Sequence, residues 1–336
     1  MALHQPLISR RRQLAFKTEA ASGTYETLAF GTDDDILVYD IQFSTQFGRF
    51  DRDVQRSTLT KLAGLVGQKA CTLSFSVEMK HHNAADTPDK WMELLTACGM
   101  VASAASGAAN GSKFVFSDTP SAVAPKAAQT MSFMFALGAR GVGTGLAFGV
   151  KLKGGSGKWR MEAKVGSPIM FRFEFQCVFS DFLDMTLTAP SATEASTGPS
   201  VFHGVGLTVG AVGNTTSDVD VSSLTIDSGV SVVPRDSVNS SEGIAHFMVV
   251  DRRPTCSFDP SLSLEADHVG LKWYNSLDQN VDCSLTFAMT TELTLTISSM
   301  RLKDVGDTNR NGVQVAGLEF EIVNTTAANE LTLNFT

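Results

Sequence analysis

Apolar and polar residues alternate with a period of two along most of this chain, which is the pattern of a β-strand with one buried face. Phe171, Phe173, Phe175 and Cys177 are each separated by one residue and share one face of such a strand. The pattern predicts a mainly β protein. The predicted strands cover residues 36–44, 71–79, 113–116, 131–137, 146–152, 158–165 and 168–179, then 205–209, 223–233, 244–250, 281–289, 292–300, 313–322 and 330–335.

Two segments have helical spacing instead. In the first, Thr87 and Pro88 form an N-terminal capping pattern and Gly99 ends the helix. The second covers residues 264–277 and contains Trp273.

A polar stretch with several arginines interrupts the alternation between residues 46 and 67. It is too long for a hairpin turn, and loops of about 15–20 residues in compact domains are usually functional. The sequence therefore predicts a long functional loop here.

The two halves of the chain repeat the same order of elements. Arg52 and Arg235 lie in the segment after the first strand of each half, and Cys71 and Cys256 lie in the strand that follows. The shared order favours a duplication, with a Pro-, Ser- and Thr-rich linker between the copies. The N-terminal arm either docks on a partner or is a frayed terminus. The predicted organisation is an arm at residues 1–35, a first domain at 36–188, a linker at 189–200 and a second domain at 201–336.

Length and charge sharpen this picture. The 336 residues fit two domains at about 150 residues each. The net charge of −8 argues against a protein that binds nucleic acid tightly, because such affinity comes from Lys and Arg side chains that neutralise phosphates. Charged residues make up only 18% of the chain, whereas about 25% is typical, which indicates surface buried against other chains.

Membrane and disulfide signals are weak. No apolar run reaches the roughly 18 residues that a membrane span needs, and the N-terminus lacks a signal-peptide pattern. The five cysteines are widely spaced and odd in number, so they do not form a disulfide framework. We expect reduced, buried thiols in a protein made in a cytoplasm.

Motifs for catalysis or for a bound cofactor are also weak. Residues 154–158 (GGSGK) resemble part of a phosphate-binding loop, but Trp159 stands where that loop needs Ser or Thr. His81 and His82 are adjacent and would point to opposite faces of a strand. Sequence alone does not exclude a catalytic triad formed by residues that are far apart in the chain. We expect no enzyme, no cofactor and no metal site.

Seven segments, spread over most of the chain, carry recognisable motifs. They are KTEAASGTY from Lys17, RDVQRSTLT from Arg52, GQKACTLSF from Gly67, WMELLTACG from Trp91, GARG from Gly138, PSVFHGVGLTV from Pro199 and VVDRRPT from Val249. In this order they resemble the tail tube (major tail) proteins of long-tailed bacteriophages. A single tube domain would use only about half of this chain.

The resemblance implies two tandem tube-like β-sandwich or barrel domains, each with a flanking helix, whose sheets join across subunits into a tube. It implies a virion protein of the tail that polymerises into stacked rings around a channel for DNA ejection. The implied partners are further copies of the chain, the tape measure, the tail terminator and the baseplate. DNA would pass through without specific binding, and no membrane is involved.

Simple geometry relates this expectation to ring symmetry. Six domains of four strands give 24 strands, which close into a cylinder about 48 Å across with a bore of about 38 Å. A DNA duplex about 20 Å wide passes through that bore. Twelve strands would leave only about 14 Å. Two domains per chain therefore predict a trimeric ring with pseudo-sixfold symmetry; one domain plus a decoration predicts a hexamer.

Two sets of residues are candidates for these roles. The loop would contact a neighbouring subunit or ring, although a solvated loop is the alternative; its candidates are Arg49, Arg52, Asp53, Arg56 and Lys61. The polar strand faces would line the channel with acidic or neutral side chains, because DNA must slide without sticking; an ordinary solvated face is the alternative. Its candidates are Ser74, Ser76, Glu78, Glu174, Gln176, Asp259, Glu319 and Glu321, with Thr72, Arg172 and Ser257 beside them.

Two other classes of protein compete with the tube. One is a capsid-decorating or receptor-binding β-sandwich module. The other is a carbohydrate-active β enzyme, which the small number of Trp (3) and Tyr (3) residues disfavours.

Overall fold

A large antiparallel sheet dominates the computed structural model, so the expectation of a mainly β chain is confirmed. The structure describes residues 7, 12–32, 34–55, 60, 62–80, 89–104, 112–116, 129–139, 146–188, 198–204, 206–211, 217–218, 220–261, 282–289, 293–323 and 330–335. Its strands are β1 (Leu14–Thr18), β2 (Asp35–Ile36), β3 (Tyr39–Arg52), β4 (Leu62–Glu78), β5 (Val101–Ala104), β6 (Ser112–Phe116), β7 (Met131–Ala139), β8 (Leu146–Lys164), β9 (Met170–Thr186), β10 (Gly206–Ala211), β11 (Ser217–Asp218), β12 (Val221–Asp227), β13 (Val230–Asp236), β14 (Ile244–Arg252), β15 (Thr255–Pro260), β16 (Cys283–Met289), β17 (Leu293–Arg310), β18 (Val313–Ile322) and β19 (Leu331–Phe335).

The described residues 46–52 and 62–67 are not part of the irregular loop that the sequence predicts. They continue β3 and β4 as a long hairpin, whose ladder reaches the pair Arg52 and Leu62. The alternation fails here because both faces of the hairpin are largely exposed, so no buried face imposes a period of two.

Glycines explain two further differences from the predicted strands. β8 is one strand where the sequence predicts two, because Gly154, with φ of +59°, and Gly155 form a bulge instead of a turn. Conversely, the predicted strand 223–233 is split into β12 and β13 at Gly229, where φ is +56° and a Cβ would lie 1.9 Å from the carbonyl oxygen of Arg253.

Helical structure is limited, among the described residues, to a 3₁₀ turn (Lys90–Glu93) and the helix α1 (Leu94–Ala97). Gly99, with φ of +84°, ends this segment as the sequence predicts. Trp91 is buried and its Nε1 donates to the carbonyl oxygen of Lys80 at 3.0 Å. The expected start at Thr87 and the second candidate helix at 264–277 lie outside the described residues.

The two halves have the same strand order. In the first half the antiparallel ladders run β1-β7-β8-β9-β4-β3. In the second half they run β10-β16-β17-β18-β15-β12, and each strand occupies the corresponding place along the chain. β1, which lies within the segment expected to be an arm, is a member of the first sheet.

One ladder joins the halves edge to edge. β12 pairs antiparallel with the C-terminal part of β8, from Asp227 opposite Arg160 to Ser223 opposite Lys164. The result is a continuous eight-stranded sheet in the order β3-β4-β9-β8-β12-β15-β18-β17. One apolar core runs behind it through both halves, from Phe75 and Phe173 to Phe258 and Phe320.

Candidate assembly surface

The side chains of the eight-stranded sheet that point away from the core form one polar face. In the first half, β4 and β9 bring the predicted channel residues side by side, with Ser74 opposite Glu174 and Thr72 opposite Gln176. Core residues such as Leu73 and Phe175 alternate with them. The alternation in the sequence therefore assigns these side chains to the correct face.

The second half contributes the same kind of surface. Ser257 of β15 lies opposite Glu319 of β18, and Thr255 lies opposite Glu321. The β8–β12 ladder makes this surface continuous with that of the first half. All eight candidate channel residues thus lie on one face of one sheet: Ser74, Ser76, Glu78, Glu174, Gln176, Asp259, Glu319 and Glu321.

Apart from Arg172, the basic residues on the same face, such as Lys158 and Lys303, were missing from the predicted set. Arg172, which the sequence placed there, bonds to Glu162 of β8 at 2.9 Å, and Lys158 of β8 bonds to Glu174 at 3.2 Å. In the second half Lys303 bonds to Glu319 at 2.7 Å. The face is therefore mixed in sign, with carboxylates neutralised by neighbours. The alternation of Lys158 and Glu162 with apolar residues was the signal that could have found the β8 members.

Asp259 is tied to the sheet rather than free on its surface. Its carboxylate accepts hydrogen bonds from the backbone N–H of Ser222 at 2.9 Å and of Ser223 at 2.7 Å, and from Arg310 Nη1 at 3.0 Å. Burial alone would raise the pKa of Asp259, but the bonds from Ser222 and Ser223 lower it below the ordinary value. This carboxylate fastens β12 to β15.

Two of the predicted contact residues, Arg49 and Arg52, lie at the distal end of the β3–β4 hairpin, which we call the first arm (residues 47–52 and 62–69). Arg49 and Arg52 are exposed there, and Asp53 follows directly; Arg56 and Lys61 lie outside the described residues. The first arm also exposes Phe50, Leu65 and Val66, each by more than half. Sequence reasoning concentrated on the arginines and missed these apolar side chains.

The distal part of the second hairpin, β13 and β14, forms a second arm that bends at Gly229 and lies on the first half. Phe247 and Ile244 of this arm are buried against Val178 of β9. Ser156 Oγ of β8 donates to the carbonyl oxygen of Phe247 at 2.9 Å. The second arm thus covers one end of the polar face of the first half.

Charged contacts secure the second arm. Lys153 Nζ of β8 bonds to Glu242 Oε2 at 3.2 Å. Burial alone would raise the pKa of Glu242, but hydrogen bonds from Ser241, Lys153 and Ser240 lower it to about 2.

Glu19 builds the surface beneath the second arm. Its buried carboxylate accepts hydrogen bonds from Thr130 Oγ1 at 2.6 Å, from Ser132 Oγ at 2.8 Å and from the N–H of Gly154 at 2.7 Å. Gly23, in the same KTEAASGTY motif, has φ of +82°, and a Cβ there would lie 2.2 Å from the carbonyl oxygen of Ala245. The motif therefore fixes the N-terminal segment and gives the second arm room to approach.

Other features bear on chemistry. All five cysteines are free and buried, and burial raises the pKa of Cys71 to about 12. In the described part of the chain, no group of three or more His, Cys, Asp or Glu side chains could hold a metal ion. No helix there is long and apolar enough to span a membrane.

The chain was compared with known proteins. No model of a protein family matches it, and no curated protein matches it either.

Proposed function

We propose that this chain is a structural virion protein that polymerises into stacked rings and forms the tail tube of a long-tailed bacteriophage, the channel for DNA ejection. One observation carries the proposal. The two halves have the same strand order and are already joined edge to edge by the β8–β12 ladder. The chain therefore contains one complete joint of a repeating sheet.

The repeat supports the interpretation of the chain as two tandem tube domains. Each half supplies four strands to the shared sheet: β3, β4, β9 and β8 from the first, and β12, β15, β18 and β17 from the second. Three copies then supply the 24 strands whose bore of about 38 Å admits duplex DNA. A head-to-tail joint of this kind closes into a ring when its rotation allows.

The polar face fits the lining of such a channel. Several of its arginines and lysines are paired with carboxylates, for example Arg172 with Glu162 and Lys303 with Glu319. A basic surface without such pairing would hold the phosphates of passing DNA. In this proposal DNA moves past the face without specific binding, and the rings contact the tape measure, the tail terminator and the baseplate at the ends of the tube.

The first arm fits a contact with a neighbouring copy. Its apolar residues Phe50, Leu65 and Val66 are exposed in the single chain, and exposed apolar clusters typically mark interaction sites. In the other half, the second arm buries Phe247 and Ile244 by packing on the adjacent sheet, while Val233, Met248 and Val250 remain more than a third exposed. The first arm would do the same on the next copy.

Electron microscopy of the purified chain tests the proposal. We expect rings or tubes with a central channel at protein concentrations in the micromolar range or above, and three copies per ring. A chain that stays monomeric at all concentrations and binds to capsids or cell surfaces would favour the decorating or receptor-binding module instead.

A further inference from the structure

The β8–β12 ladder within the chain indicates how the strands of two neighbouring copies would pair. In the shared strand order, β17 of the second half corresponds to β8 of the first, and β3 corresponds to β12. The strands β8 and β12 pair with each other inside the chain. Their counterparts β17 and β3 are the two outer strands of the eight-stranded sheet.

Among the described residues, neither outer edge has a strand partner at the positions where the internal joint has one. Between Lys303 and Arg310, the described ladders of β17 run only along β18, since its pairings with β16 and β19 end at Met300 and Ile297. The described ladder of β3 runs along β4. Open edges of this length invite pairing with another strand.

Equivalent core pairs fix which residues correspond. Each pair joins neighbouring strands and occupies the same place in its half. The matched pairs are Phe43–Leu73 with Ile226–Cys256, Phe75–Phe173 with Phe258–Leu318, and Trp159–Phe173 with Val305–Leu318. Counting along the strands from these pairs, Ser44 corresponds to Asp227 and Gly306 corresponds to Arg160.

We propose that β17 of one copy pairs antiparallel with β3 of the next, in the register that places Ser44 opposite Gly306 and Asp40 opposite Arg310. This inference rests on the proposed function, and its partner is a second copy of this chain. The register follows from Asp227 opposite Arg160 and Ser223 opposite Lys164 in the internal joint.

The residues at the two edges suit this register. Asp40 and Arg310 carry opposite charges, which is favourable on directly facing strand positions, and Arg310, which is bonded to Asp259 within the chain, would gain a second carboxylate. Gly306 and Ser44 are small and lie on the polar face. In the single chain, Arg12 Nη1 donates to the carbonyl oxygen of Ile41 at 2.6 Å, so a side chain covers part of the β3 edge until the incoming strand replaces it.

Disulfide trapping tests the register. A Cβ added at Gly306 meets only the carbonyl oxygen of Gly317, at 3.6 Å, so a cysteine fits there. Directly opposed residues in antiparallel strands have Cα atoms about 4.5–5.5 Å apart, within the range of a disulfide. The test variant is S44C/G306C in the full chain, oxidised after assembly. The native cysteines are buried and do not compete.

A positive and a negative control accompany the S44C/G306C variant. R160C/D227C should form a disulfide within one chain, because those residues already face each other. Q46C/G306C shifts the register by two positions and places the Cα atoms about 7–8 Å apart, too far for a disulfide.

The expected result is covalent multimers of S44C/G306C on a denaturing, non-reducing gel, at least tenfold more abundant than for Q46C/G306C. Rings in which S44C/G306C stays uncrosslinked, or in which Q46C/G306C crosslinks better, overturn the register and leave the proposed function intact. A wild-type chain that forms no rings overturns both.

Discussion

The two hairpin arms occupy the same place in their halves, yet only the second packs one of its faces on a sheet within the single chain. Phe247 of the second arm is 3% exposed, whereas Phe50 of the first arm is 65% exposed. The second arm bends at Gly229 onto the sheet of the first half, which precedes its own half along the strand order. The first arm has no preceding half within the chain.

This difference explains why an apolar arm is exposed. The second arm finds its docking surface because the β8–β12 joint brings the first half beside it. A neighbouring copy joined at β3 would present the corresponding surface of its second half to the first arm. In this proposal, the first arm corresponds to the second arm but has no docking surface within the single chain.

The largest effect is expected from F247A in the second arm. Removing this buried ring leaves a cavity beside Val178 and Ile244, and we expect a loss of about 3 kcal/mol in the free energy of unfolding. Urea denaturation of the monomer measures it. The comparison variant is F50A, the same substitution at an exposed phenylalanine of the first arm, which should change stability by no more than about 0.5 kcal/mol. Equal losses in the two variants would contradict the comparison.

A smaller loss in the free energy of unfolding is expected when Glu19, which lies beneath the second arm, is replaced. E19A leaves the donors of Thr130, Ser132 and Gly154 without their carboxylate, at a cost of about 1–3 kcal/mol. Hydrogen exchange at the amides of β14 should increase with it. Unchanged exchange in β14 would show that Glu19 does not support the second arm.

F50A should act on assembly rather than on folding. Burial of a phenylalanine contributes about 1.5–3 kcal/mol, so its loss should raise the protein concentration needed for polymerisation at least tenfold. Sedimentation across a concentration series measures this threshold. R49A/R52A is the matched polar change on the same arm, and we expect a weaker effect from it. A threshold unchanged by F50A would remove the first arm from the interface.

The smallest effect concerns pH. The pKa of Glu242 falls from its ordinary 4.5 to about 2, so the contribution of its carboxylate to stability is present above pH 4.5 and is lost as the pH falls towards 2. At neutral pH, E242Q should cost about 1 kcal/mol. The difference between E242Q and wild type should shrink between pH 4.5 and 2. A difference that stays constant over this interval would contradict the role of the Lys153–Glu242 pair.

The sequence was sufficient for most of the strands and for their polar face, because a buried side imposes alternation on every strand that packs on the core, but not for the order of the strands in the sheet. Ser74 and Glu174 could be assigned from that pattern alone. The first arm could not be predicted in this way, because both of its faces are largely exposed and its residue types are those of a loop. The bulge at Gly154 and the bend at Gly229 were not predicted for another reason. A glycine within a strand pattern does not indicate whether the chain turns, bulges or bends.

The wall of the proposed tube provides the most direct test of the assembly. A cryo-electron microscopy reconstruction of rings formed by the wild-type chain measures how many strands the wall contains and how copies are joined. We predict 24 strands from three copies, with β17 of each copy beside β3 of the next and the polar face towards the channel. A ring in which β3 or β17 stays unpaired, or in which the polar face points outwards, would contradict it.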